Sequence, residues 1–317
     1  MALFCTDAFL DANADRIAAA APDLEVVVLR RGEEVTAVDI ERITVAFFSS
    51  DAWPEQAAAF LKVALEATDL RWLHTMSAGV DSPVFSMFMD RGVRVTTSSG
   101  ATASPIAGTV MLYLLALSRG LPRWMRAQAA HEWSPTSFRE LDGQRLVVVG
   151  YGPIGQEVAR LGEALRMDPV IVRRAARGGE PFPVRPLDGL TDAVRDADAV
   201  VIALPLTETT RGIVSVDTIA AMGPQTMFVN VGRGELVDQP ALAEALASGR
   251  LGGAGLDVFA SEPLPADDAL WDLPNAIISP HMSGASDGAR RRVDEIFFDN
   301  LARFGNGEPL RNEVQRT

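Results

Sequence analysis

The sequence predicts an α/β protein built from two parallel-sheet domains, and three observations lead to that class. Short β-branched or apolar runs alternate with helical patterns along the chain, which is typical of parallel sheets with crossover helices. The predicted strands outnumber those that one sheet usually holds. The longest interval without a predicted strand lies between Thr97 and Arg145 and divides the strands into two groups. We therefore expect two α/β units.

Ten segments carry the strand pattern: residues 25–29, 44–49, 71–76, 93–97, 145–150, 169–172, 199–204, 226–231, 255–258 and 276–279. In the long interval, residues 106–119 predict one apolar helix. Residues 120–142 contain two prolines and two tryptophans and predict an irregular arm. A final helix over residues 285–304 follows the last strand and can return to the first domain.

Composition and charge narrow the function classes. The 317 residues are 48% hydrophobic, which indicates a globular chain. With 29 basic and 42 acidic residues, the net charge of −13 repels nucleic acid and anionic lipid, so we expect neither as a partner. A single cysteine, Cys5, and the lack of an apolar leader predict a cytoplasmic protein, with no thiolate cluster for a metal.

A glycine-rich turn follows the strand at residues 145–150. It reads Gly150-Tyr151-Gly152-Pro153-Ile154-Gly155 and opens a helical pattern. Here Gly150 permits the tight turn, Gly152 lets phosphates approach the backbone, and Gly155 lets the helix pack on the strand. The helix N-terminus, with Pro153 and Ile154, offers free amides and a partial positive charge. The sequence therefore predicts a Rossmann-like dinucleotide site.

The next strand ends in two arginines where such sites commonly carry an acidic residue. Arg173 and Arg174 follow the glycines by about twenty residues. A carboxylate there would hold the ribose 2′-hydroxyl of NAD, whereas a guanidinium can bind a 2′-phosphate with two hydrogen bonds. The pattern favours NADP, with NAD still possible. The alternative is that these arginines begin an exposed loop.

Three later strand ends carry charged or titratable side chains, namely Arg233, Glu262 and His281. Because the carboxyl ends of parallel strands line one crevice, we expect the three to converge. This trio suits the reversible reduction of a 2-keto acid. The arginine would clamp and polarise the anionic substrate, the histidine would donate a proton to the carbonyl oxygen, and the glutamate would hold the imidazolium.

Together with these motifs, the runs ALPLT from Ala203, NVGRGELVD from Asn230, GLDVFASEPLP from Gly255 and the Pro280-His281 pair carry a resemblance. The chain resembles the D-isomer-specific 2-hydroxyacid dehydrogenase family, which includes glyoxylate/hydroxypyruvate reductases and phosphoglycerate dehydrogenases. The match covers most of the chain. In order and spacing, Arg233, Glu262 and His281 match the catalytic trio of that family.

The resemblance implies further roles. Asp257 would contact the nicotinamide amide, Pro205 would border the adenosine, and the segment Ala78-Gly79-Val80 would present backbone amides to the substrate carboxylate. It also implies a nucleotide-binding domain over residues 100–283, inserted into a substrate-binding domain made of residues 1–99 and 284–317. A homodimer is implied, with the region of Trp133 in its arms.

The function predicted is the reduction of a small 2-keto acid of the glyoxylate and hydroxypyruvate class to the D-2-hydroxy acid with NADPH. The missing acidic residue at Arg173 is a feature shared by NADPH-preferring reductases of the family. Two alternatives stay open. One is an NAD-linked dehydrogenase of the D-lactate or phosphoglycerate type. The other is an NAD(H)-sensing binding protein of the corepressor kind, against which the acidic composition argues.

Overall fold

The computed structural model describes residues 1–80 and 82–315. It divides the chain into two compact units: the terminal unit, Met1–Thr102 with the chain from Ser286 onward, and the central unit, Ala103–Ala285. The sequence predicts the changes of domain after residues 99 and 283, whereas the chain divides after residues 102 and 285. The last helix is part of the terminal unit.

The described residues contain twelve strands and eleven α-helices, joined by loops and short 3-10 turns. The strands are β1 Ala2–Thr6, β2 Glu25–Leu29, β3 Val45–Phe48, β4 Trp72–Thr75, β5 Arg94–Thr97, β6 Arg145–Val149, β7 Asp168–Arg173, β8 Val184–Pro186, β9 Ala199–Ile202, β10 Met227–Asn230, β11 Gly253–Leu256 and β12 Ala276–Ile278. The helices are α1 Asp7–Ala20, α2 Ala37–Arg42, α3 Ala57–Glu66, α4 Pro83–Asp90, α5 Ala103–Arg119, α6 Leu121–Ala129, α7 Pro153–Ala164, α8 Leu190–Ala193, α9 Val216–Ala221, α10 Gln239–Ala247 and α11 Asp287–Gly305.

The terminal unit is a five-stranded parallel sheet in the order β2-β1-β3-β4-β5. Both faces are covered. On one face Phe47 of β3 stacks on Phe297 of α11, with ring centroids 4.2 Å apart. On the other face Phe4 of β1 stacks on Phe60 of α3 at 4.4 Å. Burial on both sides explains why the central strands β1 and β3 are mainly apolar without alternation.

The central unit is a seven-stranded parallel sheet in the order β12-β11-β10-β9-β6-β7-β8. The strand order reverses between β6 and β9, where Val149 pairs with Ile202. In open sheets of this kind ligands bind at the carboxyl ends of the strands beside that reversal. The two parallel sheets confirm the predicted fold class, and the glycine turn leaves β6 at the reversal.

Three elements differ from the sequence prediction. The strands β1 and β8 were not predicted: β1 runs directly into the acidic start of α1, and β8 is a three-residue edge strand ending in Pro186. The arm was predicted to be irregular over residues 120–142, and this is wrong for its first part, which forms α6. Gly120 adopts the left-handed conformation that separates α6 from α5, and Pro122 lies in the first turn, where proline is tolerated.

No single helix in residues 1–80 and 82–315 has the length and apolar character of a membrane span. Only α5 and α6 taken together reach that limit by length and composition, and a bend of 65° separates them. Eight side chains of α5 are buried in this structure.

Candidate active site

The glycine turn is built by close backbone contacts. Gly150 has a φ of +102°, and a Cβ at this position would lie 2.5 Å from the carbonyl oxygen of Ala203. A Cβ at Gly155 would lie 1.9 Å from the carbonyl oxygen of Gly150. Only glycine is accommodated at these two positions, because one bears a left-handed backbone and both leave no room for a side chain.

The space beside the second glycine fits a pyrophosphate. A Cβ at Gly152 would meet no heavy atom within 4 Å. Gly152 is also the N-cap of α7, and no side chain caps it. The first amides of α7 after Pro153, those of Ile154 and Gly155, have no acceptor within a helix by geometry. An open space in front of uncapped amides at a helix N-terminus is an anion site.

At the end of β7, Arg173 is already paired. Its Nη1 lies 3.0 Å from Oε1 of Glu180, and the two side chains are 16% and 8% exposed. The Arg173 guanidinium lies 5.9 Å from the ring centroid of Tyr151, the second residue of the glycine turn. Arg174 is exposed. Sequence reasoning missed Glu180, although two consecutive glycines just before it signal a chain reversal.

The segment that contains Leu204 and Pro205 lies against the NVGRG turn. A Cβ at Gly232 would be only 2.9 Å from the carbonyl oxygen of Leu204. The carbonyl of the next residue, Pro205, accepts a hydrogen bond from the Thr210 hydroxyl at 2.8 Å. The side chain of Asn230 holds the NVGRG turn from within, since it accepts the Gly232 amide at 3.0 Å.

Arg233 is half-buried in that turn. Its carbonyl accepts a hydrogen bond from the Asn230 side-chain amide at 2.9 Å, and its Nη1 donates to the carbonyl of Gly232 at 2.8 Å. The next residue, Gly234, packs directly on the backbone of Phe259, because a Cβ there would lie 1.8 Å from the Phe259 carbonyl carbon. The arginine turn therefore contacts the loop that carries Glu262.

The structure brings Glu262 and His281 together. The Nδ1 atom of His281 lies 2.8 Å from Oε2 of Glu262, and Oε1 of Glu262 accepts the amide of Phe259 at 3.0 Å. The two side chains are 48% and 36% exposed, so a ligand can reach them. With Nδ1 engaged by a carboxylate, Nε2 is the ring nitrogen that can exchange a proton with a ligand.

The backbone of His281 is strained, with a φ of +53°. Asp257 supports it, with only 1% of its surface exposed. The carbonyl of Asp257 accepts the His281 amide at 2.8 Å. The Asp257 carboxylate accepts the Met282 amide at 2.9 Å, the Ser283 amide at 3.1 Å and the hydroxyls of Ser279 and Ser283. The contact of Asp257 with the nicotinamide that the resemblance implies stays a prediction, and in this structure the carboxylate binds the segment around His281.

A tyrosine extends this support to α5. The hydroxyl of Tyr113 lies 2.5 Å from that of Ser279, and its ring lies against Gly255, where a Cβ would be 2.4 Å away. Burial is the main cause that raises the pKa of Tyr113. Sequence reasoning missed Tyr113, because no local pattern distinguishes it from the other apolar positions of the helix.

The predicted substrate loop lies in the terminal unit, after β4. The amide of Ser77 donates to the Thr75 hydroxyl at 3.3 Å, and its carbonyl accepts the Ser98 amide at 2.9 Å. Ala78 is exposed, whereas Gly79 and Val80 are half-buried.

The remaining candidate side chains lie apart from these motifs. His74 is fully buried, and burial lowers its pKa to about 3. His131 follows α6 and is exposed. Cys5 is buried in β1, and burial raises its pKa to about 12. Across the part of the chain that the structure describes, no three His, Cys, Asp or Glu side chains are grouped as metal ligands would be.

The doubly wound sheet, the glycine turn at its reversal and the carboxylate-histidine pair define the class of NAD(P)-dependent oxidoreductases. A sequence model described as "D-isomer specific 2-hydroxyacid dehydrogenase, NAD binding domain" matches residues 111–283. The chain belongs to the D-isomer specific 2-hydroxyacid dehydrogenase family, which confirms the resemblance seen in the sequence.

Three relatives illustrate this membership. D-3-phosphoglycerate dehydrogenase of Methanocaldococcus jannaschii is 30% identical over 92% of this chain, which spans only 52% of that protein. Glyoxylate/hydroxypyruvate reductase B of Pectobacterium carotovorum is 32% identical, over 78% of this chain and 80% of that protein. The crystal structure of an NADPH-dependent glyoxylate/hydroxypyruvate reductase from Sinorhizobium meliloti with NADP and sulfate superposes with a TM-score of 0.81, at 27% identity, over 99% of this chain and 98% of the other.

Proposed function

We propose that this protein reduces glyoxylate or hydroxypyruvate to the 2-hydroxy acid, the D isomer where the product is chiral, with NADPH. The observation that carries the proposal is the contact of His281 with Glu262 at 2.8 Å, in the same unit as the glycine turn. Two relatives named as glyoxylate/hydroxypyruvate reductases support the choice of substrate class.

The proposed mechanism assigns each charged group one task. Glu262 accepts a hydrogen bond from Nδ1 of His281 and stabilises the imidazolium, so that Nε2 carries the proton for the substrate carbonyl oxygen. Arg233 binds the anionic substrate and polarises the carbonyl. The bound cofactor supplies the hydride to the carbonyl carbon. After the transfer His281 is neutral, and it can accept the proton back in the oxidative direction.

Asp257 serves, in this proposal, as a positioning residue. Its buried carboxylate binds four donors of residues 279–283, so it holds His281 in its strained backbone conformation. Hydrogen bonds to a carboxylate are stronger than those between neutral groups, so four of them hold this segment firmly.

The central unit is proposed to bind the cofactor. The pyrophosphate would lie on the amides that follow Gly152, with Pro205 beside the adenosine. Arg173 and Arg174 would hold the 2′-phosphate, which makes NADPH the preferred cofactor and leaves NADH usable. The backbone amides of Ala78, Gly79 and Val80 in the terminal unit would bind the substrate carboxylate, which assigns that unit to substrate binding.

A second candidate is the oxidation of 3-phosphoglycerate with NAD. The phosphoglycerate dehydrogenase relative matches 92% of this chain, which is the observation in its favour. Arg174 argues against it, because an exposed guanidinium suits a 2′-phosphate better than a bare ribose hydroxyl.

Steady-state assays of glyoxylate, hydroxypyruvate, pyruvate and 3-phosphohydroxypyruvate with NADPH and with NADH test the proposal. We expect the highest kcat/KM for glyoxylate or hydroxypyruvate with NADPH. Preference for 3-phosphohydroxypyruvate with NADH would establish the second candidate. Binding of either cofactor without turnover of any acid would point to a sensing protein and contradict the proposed reaction.

We also propose a cytoplasmic homodimer. A reducing compartment suits a chain whose one cysteine is buried. Helices α5 and α6 and the segment after them expose large apolar side chains that a second copy could cover: Leu112, Leu115, Trp124, Met125, Trp133 and Phe138. Sedimentation equilibrium should give twice the mass of the chain, and a monomer at micromolar concentration would contradict this.

A further inference from the structure

The loop between β7 and β8 turns back on itself. Gly178 and Gly179 have φ values of +82° and +77°, a left-handed conformation that L side chains rarely adopt. The two glycines reverse the chain so that Glu180 faces Arg173 at the end of β7. A carboxylate is thereby brought to the place where the sequence alone shows only arginines.

Glu180 is held mainly by the backbone of its own loop. Its Oε1 accepts the Arg177 amide at 2.7 Å as well as Nη1 of Arg173 at 3.0 Å. The Arg177 amide is the largest cause that lowers the pKa of Glu180, and the amides of Gly178 and Glu180 act in the same direction. The carboxylate is therefore charged at neutral pH, with an anchor that does not depend on Arg173.

The Arg173–Glu180 pair lies beside the glycine turn. Val172, one residue before Arg173, pairs with Val149, one residue before the glycine turn. The ring of Tyr151 in that turn lies 5.9 Å from the Arg173 guanidinium. In a doubly wound sheet, the end of this strand meets the adenosine ribose.

A guanidinium beside a backbone amide is a set of donors that binds a phosphate. Here those donors already bind a carboxylate. A phosphate monoester carries about −1.5 to −2 charges at pH 7, so it cannot share the donors with a carboxylate without repulsion. A ribose hydroxyl has no charge and can donate to the carboxylate in place.

We propose that Glu180 is a specificity-determining residue, whose carboxylate occupies the subsite of the cofactor 2′-phosphate and competes with it for Arg173. NADH binds with Glu180 in place, whereas NADPH binds only when the carboxylate gives up Arg173. The inference rests on the proposed function in one respect, the assignment of Arg173 to the ribose end of the cofactor.

The test measures how the 2′-phosphate contributes to binding, separately from turnover. Isothermal titration calorimetry measures the binding of adenosine 2′,5′-bisphosphate and of adenosine 5′-monophosphate to the wild-type protein and to Glu180→Gln. The glutamine keeps an oxygen for the Arg177 amide and removes the charge. Since the substitution removes a like charge from the subsite, we expect the bisphosphate to bind at least about tenfold more tightly to the variant. The monophosphate affinity should change little.

Glu163→Gln is the matched control, because Glu163 is an exposed carboxylate near the far end of α7 and its loss changes the net charge equally. It should leave both affinities unchanged. In the double variant Arg173→Met with Glu180→Gln, the gain for the bisphosphate should disappear. An unchanged or weaker bisphosphate affinity in Glu180→Gln would overturn the competition.

Failure of this inference and failure of the proposed function give different results. If Arg173→Met leaves the bisphosphate affinity unchanged while the enzyme still reduces glyoxylate or hydroxypyruvate, the competition at Arg173 is wrong and the reaction stands. If the expected affinity changes occur without turnover of any 2-keto acid, the competition stands and the reaction is wrong.

Discussion

Two carboxylates of the central unit are held in the same way and do different chemistry. Glu262 and Glu180 each accept the backbone amide of the residue three positions earlier, at 3.0 Å from Phe259 and 2.7 Å from Arg177. The partner differs, since Glu262 binds His281 and Glu180 binds Arg173. An imidazole titrates near neutral pH and a guanidinium does not. The first pair can therefore move a proton, whereas the second can only hold or release an anion.

The surroundings differ as well. The segment that carries His281 is fixed by the buried Asp257 and through Ser279 by Tyr113. The loop before Glu180 is exposed from Arg174 to Gly179. The proton donor is thus held by a buried network, whereas the ion pair lies beside an exposed loop.

Replacement of His281 should give the largest effect. We expect His281→Ala to lower kcat for glyoxylate or hydroxypyruvate by on the order of 10²- to 10⁴-fold, because the proton donor is lost. NADPH affinity, measured by fluorescence titration, should stay near the wild-type value. Glu180→Gln should leave kcat at saturating cofactor almost unchanged. A comparable loss of kcat in both variants would remove the distinction between the two pairs.

Asp257→Asn should have an intermediate effect. Hydrogen bonds to a charged group contribute about 1.5–3 kcal/mol, so the loss of the charge should lower kcat by roughly 10- to 100-fold. The pH profile of kcat should also change, since His281 is no longer held against Glu262. Tyr113→Phe, which removes one hydroxyl from the same support, should lower kcat by less.

The measurement that decides the role of Asp257 is the dissociation constant of NADPH. We expect it to be preserved in Asp257→Asn. A rise in that constant with unchanged kcat and pH profile would instead show that Asp257 binds the nicotinamide, as the family resemblance implied.

The smallest expected effect on turnover is at a histidine with no carboxylate partner among the described residues, and its prediction concerns stability. His74 in β4 contacts the hydroxyls of Thr96 and Ser98 at 2.7 and 3.1 Å, and burial lowers its pKa from 6.5 to about 3. The folded protein keeps it neutral, whereas the unfolded chain takes up a proton below pH 6.5. The contribution of His74 therefore lowers the free energy of unfolding by about 1.4 kcal/mol for each unit that the pH falls from about 6.5 to about 3.

Urea unfolding of the wild type and of His74→Asn between pH 7 and 4 measures this slope. Other titrating groups are common to both proteins, so the difference between their slopes belongs to His74. We expect the variant to be less sensitive to acid. Parallel pH dependences would mean that His74 takes up a proton in the folded protein as readily as in the unfolded chain, and its contrast with His281 would then fail.

The sequence by itself determined the features that depend on local pattern. Short apolar runs between helical patterns revealed ten of the twelve described strands, because buried parallel strands require apolar residues in succession. The glycine spacing between β6 and α7 identified the dinucleotide turn, because a tight turn requires glycine at particular positions. The placement of Arg233, Glu262 and His281 at strand ends followed from the same reasoning.

Only the tertiary structure decided which of these side chains have partners. Tyr113 and Ser279 are 166 residues apart in the chain, and Asp257 and Ser283 are 26 apart, so no local periodicity connects them. Glu180 is near Arg173 in sequence, but two left-handed glycines determine that it faces back to the arginine. Strand order and loop conformation bring such groups together. They depend on packing across the whole unit, which a linear pattern does not record.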